Sequence, residues 1–227
     1  MNLLKKTLSK TRNFIFQNYR EEVLSNIICK EVEKIVAINN KKRIKILDYG
    51  SGYNPILIKK IVRKLHSKYK KTKFSTYCYD YYNKKQLKKM NNNKNIKFLN
   101  IKKLNGKNLS KFNFCLLIDV LHHIGLENKN EIYRTIKILK KKSKYLIIKD
   151  HFQYGLISNL ALILMDFVGN YGDSVKIPKK YFSIKSFKTF LLKSKLKEIN
   201  RINTVKYYKW YWIYFNNSKL QFISILK

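Results

Sequence analysis

Acidic residues are scarce in this chain. Only 13 of its 227 residues are Asp or Glu, against 50 Lys and Arg, and the formal net charge is +37. A charge of that size indicates an anionic partner, either nucleic acid or the anionic face of a membrane. Codon bias explains the lysines equally well, because the chain is rich in the residues that an AT-rich genome favours. The lysines are spread along the whole chain rather than gathered in one arm, which weakens the nucleic-acid interpretation.

Proline and glycine are also scarce, with 2 and 7 residues, and no stretch rich in Pro, Gly or Ser divides the chain. We find no internal repeat either, so the sequence predicts a single domain. Within it we distinguish four parts: an N-terminal helical cap over residues 1–40, a core over 41–151, a lid-like insertion over 152–182, and a C-terminal helix with closing strands over 183–227.

Long hydrophobic runs are missing. The longest, LALILM within Leu160–Val168, is broken by Asn159 and Asp166. A helix that spans a bilayer needs about 20 apolar residues, so we predict no transmembrane segment. The N-terminus is basic but lacks the continuous apolar segment of a signal peptide.

The three cysteines are far apart and include no pair with metal-ligand spacing. Cys78 and Cys115 lie in apolar runs that predict buried strands, and free core cysteines fit a reducing compartment. We therefore expect a cytoplasmic protein that is either soluble or in peripheral contact with an anionic membrane.

Short apolar runs alternate with helical repeats along the middle of the chain. The runs predict five strands, at 44–48, 74–80, 96–100, 112–119 and 144–150. Strands that alternate with helices predict a parallel sheet covered on both faces. Two later runs, KEINRINTV and QFISILK, predict a closing antiparallel pair. The predicted fold is therefore α/β, a doubly wound, Rossmann-like, mostly parallel seven-stranded sheet with an antiparallel last strand.

Four of the five predicted strands end in an aspartate: Asp48, Asp80, Asp119 and Asp150. In a doubly wound sheet, ligands bind beyond the carboxyl ends of the strands. A single Asp in such a place is more often a turn or cap residue, but four of them at one edge indicate a binding site.

The stretch ILDYGSGYNP follows the first strand with a glycine turn. Gly50 and Gly52 allow the backbone to turn sharply, and Asn54-Pro55 predicts the N-cap and first residue of a helix. Pro55 stands where a dinucleotide-binding motif has its third glycine. Asp48 would repel a pyrophosphate, so the stretch argues against NAD and for a ligand that carries an ammonium group.

These residues resemble class I S-adenosylmethionine-dependent methyltransferases. ILDYGSGYN is similar to their first motif, an acid followed by G-x-G-x-G, with Asn54 in place of the third glycine. FNFCLLIDVLHHIG resembles the fourth-strand motif, with Asn113 where an Asp is usual, and its VLHHI ending is typical of the small-molecule, methyltransferase type 11-like branch. YLIIKDHF resembles the fifth-strand segment. The resemblance covers roughly residues 22 to 151.

The resemblance implies S-adenosylmethionine as the cofactor and 41–151 as the part that binds it. Asp80 matches the acid that accepts both ribose hydroxyls. Asn100 stands near the position from which the family often contacts the adenine amine. No metal is implied. The cofactor-binding residues predicted in this way are Asp48, Tyr49, Gly50, Ser51, Gly52, Asp80, Tyr81, Asn100, Ile101, Asp119 and His122.

Methyl transfer is an in-line displacement, for which the enzyme mainly positions and desolvates the nucleophile. A general base is needed only where the nucleophile carries a proton at neutral pH. Asp150 and His151, at the end of the fifth strand, are the predicted catalytic pair. His122 and His123 are alternatives, although two adjacent histidines of this kind are more often structural.

The sequence thus predicts a methyltransferase that acts on a small-molecule or lipid-like acceptor. The VLHHI segment and the lid-like insertion favour this function. An RNA methyltransferase with a basic substrate-binding surface is the alternative, although no N-P-P-[YF] motif follows the fourth strand. A non-enzymatic binding protein and a dehydrogenase fit less well. The aromatic, basic segment 206–215 predicts a strand, while base stacking and membrane contact stay open for it.

Overall fold

A computed structural model describes most of the chain, and the structural statements below concern the residues that it describes. These are 18–35, 41–52, 54–81, 87, 90, 95–100, 104, 106, 111–126, 128–170, 177–205 and 218–227. The predictions for Ile101 and for the strand at 206–215 lie outside these residues.

Seven strands form one sheet in the order β3-β2-β1-β4-β5-β7-β6. The first five strands are parallel, whereas β7 pairs antiparallel with both β5 and β6. This arrangement confirms the predicted fold class and the closing antiparallel pair. The strands are β1 (Arg43–Tyr49), β2 (Lys73–Tyr79), β3 (Ile96–Leu99), β4 (Phe112–Ile118), β5 (Ser143–His151), β6 (Glu198–Ile202) and β7 (Gln221–Leu226).

Helices connect and flank the strands. They are α1 (Asn18–Ile35), α2 (Ile56–Lys68), α3 (Leu121–Ile124), α4 (Lys129–Lys142), α5 (Leu156–Gly169) and α6 (Ile184–Lys193), with a short 3-10 turn at Ser218–Leu220. No described helix combines the length and apolarity that crossing a membrane requires.

The helix after the glycine turn begins one residue later than the sequence predicts. Pro55 is the N-cap of α2 and has a ψ of 66°, outside the helical region, and no side chain caps this end. Asn54 instead accepts a hydrogen bond at its carbonyl from the backbone N–H of Ile56, at 2.8 Å. The predicted cap at Asn54, with Pro55 as the first helical residue, is therefore displaced by one position.

The sheet is buried on both faces, which explains why its strands are nearly continuous apolar runs. In β1, Ile44 and Ile46 pack with α1 and α2 on one face, while Leu47 and Tyr49 pack with the cluster that includes α4 and α6 on the other. Cys29, Cys78 and Cys115 are all buried and free, as predicted for the last two.

The edge formed by the carboxyl ends of β1 and β4 is the topological switch point of the sheet. From β1 the chain moves outward through β2 and β3, and it returns to pair β4 with the opposite side of β1. Such a reversal opens a crevice between the two strand ends, where ligands bind in this class of fold. Asp48 is the second-to-last residue of β1, and Asp119 directly follows β4, so both aspartates border this crevice.

Replacing Phe222 should test how firmly β7 is packed. Its fully buried ring stacks on Phe152 with ring centroids 3.9 Å apart and contacts Phe187 at 4.7 Å. We expect Phe222→Ala to lower the free energy of unfolding by about 3–5 kcal/mol, measured by urea titration with circular dichroism. Leu192→Ala, at a largely exposed position of α6, is the control and should cost less than about 0.5 kcal/mol. Equal losses for the two variants would contradict this account of the core.

Candidate functional site

The glycine turn after β1 is tied to the end of β2. The backbone N–H of Gly52 donates to Asp80 Oδ2 at 2.8 Å, and the N–H of Tyr81 donates to Asp80 Oδ1 at 2.7 Å. The N–H groups of Gly50 and Ser51 both donate to the carbonyl of Tyr79, at 2.8 and 3.3 Å. The structure thus brings together the predicted residues on either side of the β1 and β2 ends.

Gly50 is required by both conformation and space. Its φ is 80°, in the left-handed region, and a Cβ at this position would lie 2.4 Å from Cγ2 of Val120. The turn after β1 therefore packs directly against the segment after β4, and only glycine permits that approach.

Asp48 is buried beside this turn. Burial, together with the nearby carboxylate of Asp80, raises the pKa of Asp48 to about 7. Among the described residues, no basic side chain forms an ion pair with either carboxylate. Two neighbouring carboxylates of this kind favour a ligand that brings its own positive charge.

A cavity of about 450 Å³ opens beside Tyr81, the residue that follows Asp80. Tyr49, Tyr81, Leu104 and Glu131 are among the residues that line it. Leu104 donates its backbone N–H to the carbonyl of Asn100, so the predicted position after β3 lies at the same end of the sheet. Apolar walls come from Tyr49, Tyr81, Leu104 and Ile138, and the remaining lining is polar: Asn128, Asn130, Glu131, Arg134 and Thr135. The cavity therefore suits a flat group with polar edges.

A second cluster of charges surrounds Asp119, at the end of β4. Its carboxylate pairs with Arg20 of α1 and with Lys149 of β5, and Oδ1 lies 3.2 Å from Nε2 of His151. Burial opposes ionisation, but Lys149, Arg20 and His151 outweigh it and hold the pKa of Asp119 well below its usual range. Asp119 also has a φ of 55°, a left-handed conformation that Asp tolerates better than most residues.

His151 has different surroundings at its two ring nitrogens. Nε2 faces Asp119 and lies 3.4 Å from Nζ of Lys149, whereas Nδ1 is buried and has no hydrogen-bond partner among the described residues. Burial and the positive charge of Lys149 lower the pKa of His151. The ring is therefore neutral at pH 7, and when Nε2–H donates to Asp119, Nδ1 carries the free lone pair.

His122 lies fully buried between two carboxylates. Its Nδ1 is 2.7 Å from Asp150 Oδ1, its Nε2 is 3.3 Å from Asp166 Oδ2, and its backbone N–H donates to Asp150 Oδ2 at 3.3 Å. Burial opposes the charged form, but Asp150 and Asp166 outweigh it and raise the pKa of His122 to about 10. The hydroxyl of Tyr181 donates to Asp166 Oδ2 at 2.5 Å. An imidazolium thus joins β5 to α5.

Asp150 and His151, the predicted catalytic pair, therefore have separate environments. Asp150 is fully buried and accepts from the ring and backbone of His122 and from the backbone N–H of His151. His151 turns its ring to Asp119 instead.

Two sets of side chains are spaced closely enough to hold a metal ion: Asp119 with His122 and His151, and His122 with His123 and Asp166. In the first set, Arg20 and Lys149 already neutralise the carboxylate of Asp119. Both sets include His122, whose ring nitrogens already contact the carboxylates of Asp150 and Asp166. The two cations beside Asp119 therefore disfavour a metal ion in the first set.

Arg20, Lys149 and Asp166 are members of this cluster that are not among the residues predicted from the sequence. A usable signal was present for two of them. Lys149 lies in an apolar strand, and Asp166 is the only charged residue in the helix LISNLALILMDFVG. Because a buried charge is costly without a partner, each position required an opposite charge nearby. No local signal links Arg20, which comes from α1, to the ends of β4 and β5.

Comparison with known protein families gives no match, and comparison with curated proteins gives no relative. Solved structures do share the fold. LepI in complex with SAM superposes with a TM-score of 0.54 and 11% identity, over 87% of this chain and 46% of that chain. A family 2 O-methyltransferase from Planctomyces limnophilus in complex with apigenin has a TM-score of 0.53 and 11% identity, over 89% and 61% of the two chains.

The mitomycin 7-O-methyltransferase MmcR has a TM-score of 0.52 and 10% identity, over 90% of this chain and 54% of its own. This chain thus spans about half the length of these proteins. The shared architecture is the fold of class I S-adenosylmethionine-dependent methyltransferases, and at these identities the likeness concerns the fold alone.

The raised pKa of His122 predicts a stability that depends on pH. The charged form is favoured in the folded state, so the stabilisation is fully present below pH 6.5 and is lost as the pH rises through about 10. We expect His122→Asn to lower the free energy of unfolding by about 3 kcal/mol at pH 6, and the difference from wild type should shrink between pH 6.5 and 10. Urea titrations at several pH values measure it. His66→Asn, at an exposed position, is the control. A constant difference would show that His122 is not held as an imidazolium.

Proposed function

We propose that this chain is an S-adenosylmethionine-dependent methyltransferase that acts on a small-molecule or lipid-like acceptor, of the methyltransferase type 11-like branch. The observation that carries the proposal is the pair of carboxylates, Asp48 and Asp80, at a glycine turn between β1 and α2. S-adenosylmethionine combines a positively charged sulfonium and ammonium with a ribose diol. Both features suit two carboxylates without a basic partner among the described residues.

The predicted cofactor residues divide by chemistry. Asp80 would accept the ribose hydroxyls, and Asp48 would balance the positive charge of the methionine end. The glycine turn would allow the cofactor to approach the backbone closely. The cavity lined by Tyr49, Tyr81 and Leu104 is suited to the adenine ring. When bound, the cofactor supplies an electrophilic methyl group.

His151 is the proposed general base. Once opening of the insertion at 152–182 exposes it, Nδ1 would take the proton from an acceptor hydroxyl or amine as the acceptor atom bonds to the methyl group and the carbon–sulfur bond breaks. Asp119 would accept a hydrogen bond from Nε2–H of His151 and so hold the ring in the tautomer with a free Nδ1. Carboxylates orient histidine bases in the same way in other enzymes. Burial and the positive charge of Lys149 lower the pKa of His151 and so disfavour its protonated form. Asp150 acts as a positioning residue through His122.

The insertion at 152–182 is the proposed substrate lid. Its helix, α5, brings Asp166 to the imidazolium of His122, and Tyr181 at the end of the insertion donates to the same carboxylate oxygen of Asp166. The lid therefore borders the same buried cluster that contains the proposed base.

Cofactor affinity should depend on the ionisation of Asp48. The raised pKa, about 7, means that below this pH a cationic ligand must first displace a proton from the carboxyl group. We expect the affinity for S-adenosylmethionine to fall by more than about tenfold between pH 7.5 and 5.5, measured by isothermal titration calorimetry.

Asp48→Asn is the matched variant for this experiment. It should bind more weakly at pH 7.5 and lose most of the pH dependence. If Asp48→Asn keeps the full dependence, another group is responsible, and if wild type binds no cofactor at any pH, the proposed function is wrong.

Transfer of a labelled methyl group tests the reaction itself. Purified protein is incubated with methyl-labelled S-adenosylmethionine and an extract of its own cells, and the products are separated into RNA, lipid and small-molecule fractions. We expect label in the lipid or small-molecule fraction. Because a positioned base typically contributes 100-fold or more, His151→Asn should lower the transfer by about 100-fold while cofactor binding persists.

Asp80→Ala provides the control, since it should remove both cofactor binding and transfer. Undiminished transfer by His151→Asn would exclude His151 as the base. Label in the RNA fraction would instead identify the alternative acceptor and make the basic surface a substrate-binding surface.

A further inference from the structure

Helix α5 exposes an apolar face to solvent. Five of its large hydrophobic side chains are between 48 and 86% exposed: Leu156, Ile157, Leu160, Leu164 and Phe167. Successive residues of a helix are turned by about 100°, so these five lie within roughly a third of its circumference. We call these five residues the apolar stripe.

The stripe is unusual for this chain. Although 50 of the 227 residues are Lys or Arg, the 14 residues of α5 include neither. In α2 and α4, by contrast, exposed positions hold residues such as Lys59, Arg63 and Lys137. A contiguous exposed apolar surface of this kind marks a site of interaction rather than an ordinary solvated face.

Basic residues lie beside α5. The carbonyl of Lys179 accepts from the Asn159 side chain of the helix at 3.1 Å, which places exposed Lys179 and Lys180 next to it. Before the start of α5, the hydroxyl of Tyr154 donates to the carbonyl of exposed Lys219 at 2.9 Å. Tyr154 is itself about half exposed and amphipathic, a residue type favoured at the boundary between apolar and aqueous phases.

We propose that α5 docks onto the surface of an anionic lipid bilayer. Its apolar stripe would enter the boundary of the acyl chains while the neighbouring lysines and the net charge of +37 hold the protein to anionic headgroups. At 14 residues the helix is too short to span a bilayer and lies in its plane.

Two other partners, a second copy of this chain and nucleic acid, fit the surface around α5 less well than an anionic bilayer does. A second copy of the chain would bring another +37 to the same surface, which repels. Nucleic acid would match the charge but not the stripe, because bases stack on aromatic side chains in a basic groove, whereas four of the five stripe residues are aliphatic.

Docking would also define the acceptor. This step rests on the proposed function, since α5 carries the stripe outside and Asp166, bound to Tyr181 and beside His122, inside. An acceptor held in the bilayer would then reach the cluster around His151 from the membrane side. The acceptor class is therefore an amphiphile with its reactive hydroxyl or amine near the headgroups.

Vesicle binding tests the docking without cofactor or turnover, so failure of the proposed function would leave the result readable. The full-length protein is floated with phosphatidylcholine vesicles that contain 30 mol% phosphatidylglycerol. We expect binding that Leu160→Glu/Leu164→Glu weakens by about tenfold or more. The matched control is Ile184→Glu/Leu192→Glu, the same charge change at exposed apolar positions of α6, which should bind as wild type. Circular dichroism of both variants is the check that they fold.

A fluorophore reports the location of the contact. Ile157→Cys, labelled with an environment-sensitive NBD group, should brighten and shift to shorter wavelength on addition of the vesicles, and the three native cysteines are buried. Equal vesicle binding by both Glu variants would mean that charge alone recruits the protein and would overturn the proposal. A response of the label to RNA, or a wild-type dimer that Leu160→Glu/Leu164→Glu dissociates without vesicle binding, would overturn it as well.

Discussion

Buried carboxylates at one edge of the sheet determine how the rest of this molecule is arranged. A carboxylate that is largely removed from water needs a cation or several hydrogen-bond donors. Asp119 recruits Arg20 from α1 and Lys149 from β5, and Asp150 recruits His122 from the segment after β4. Each pair fastens a separate element to the switch point, so the scarce acids of a very basic chain act as its anchors.

The edge divides into two halves with opposite electrostatic character. Around Asp119 and Asp150 the charges are already matched within the protein, and the lowered pKa of His151 favours its neutral form. Around Asp48 and Asp80 the described residues supply backbone N–H groups but no ion-paired cation, so negative charge remains for a ligand. A cationic cofactor in one half and a base in the other would place the two reactants on either side of the β1–β4 crevice.

The sequence was informative where the chemistry is local. Apolar runs between glycines and aspartates identified the parallel strands, and Asp48, Gly50, Gly52 and Asp80 lie close together in the structure because the carboxyl ends of parallel strands share an edge. The sequence was uninformative where distant elements meet. Arg20 is about a hundred positions from Asp119, and no periodicity relates them. The apolar stripe of α5 was equally hidden, since LALILM alone does not distinguish a buried helix from an exposed one. The start of α2 was displaced by one residue because the backbone of Pro55 is not helical.

The contact between Gly50 and Val120 limits which amino-acid substitutions this chain can accept during evolution. Position 50 requires glycine for two separate reasons. Its backbone is left-handed, and Val120 occupies the volume that a Cβ would need. Making residue 120 smaller would remove only the second restriction. Gly52 also has a left-handed φ, of 63°, but a Cβ there would meet open space. Residue 50 should therefore stay glycine in any related protein that keeps the crevice. Residue 52 can change to Asn or Asp, because these side chains tolerate a left-handed backbone.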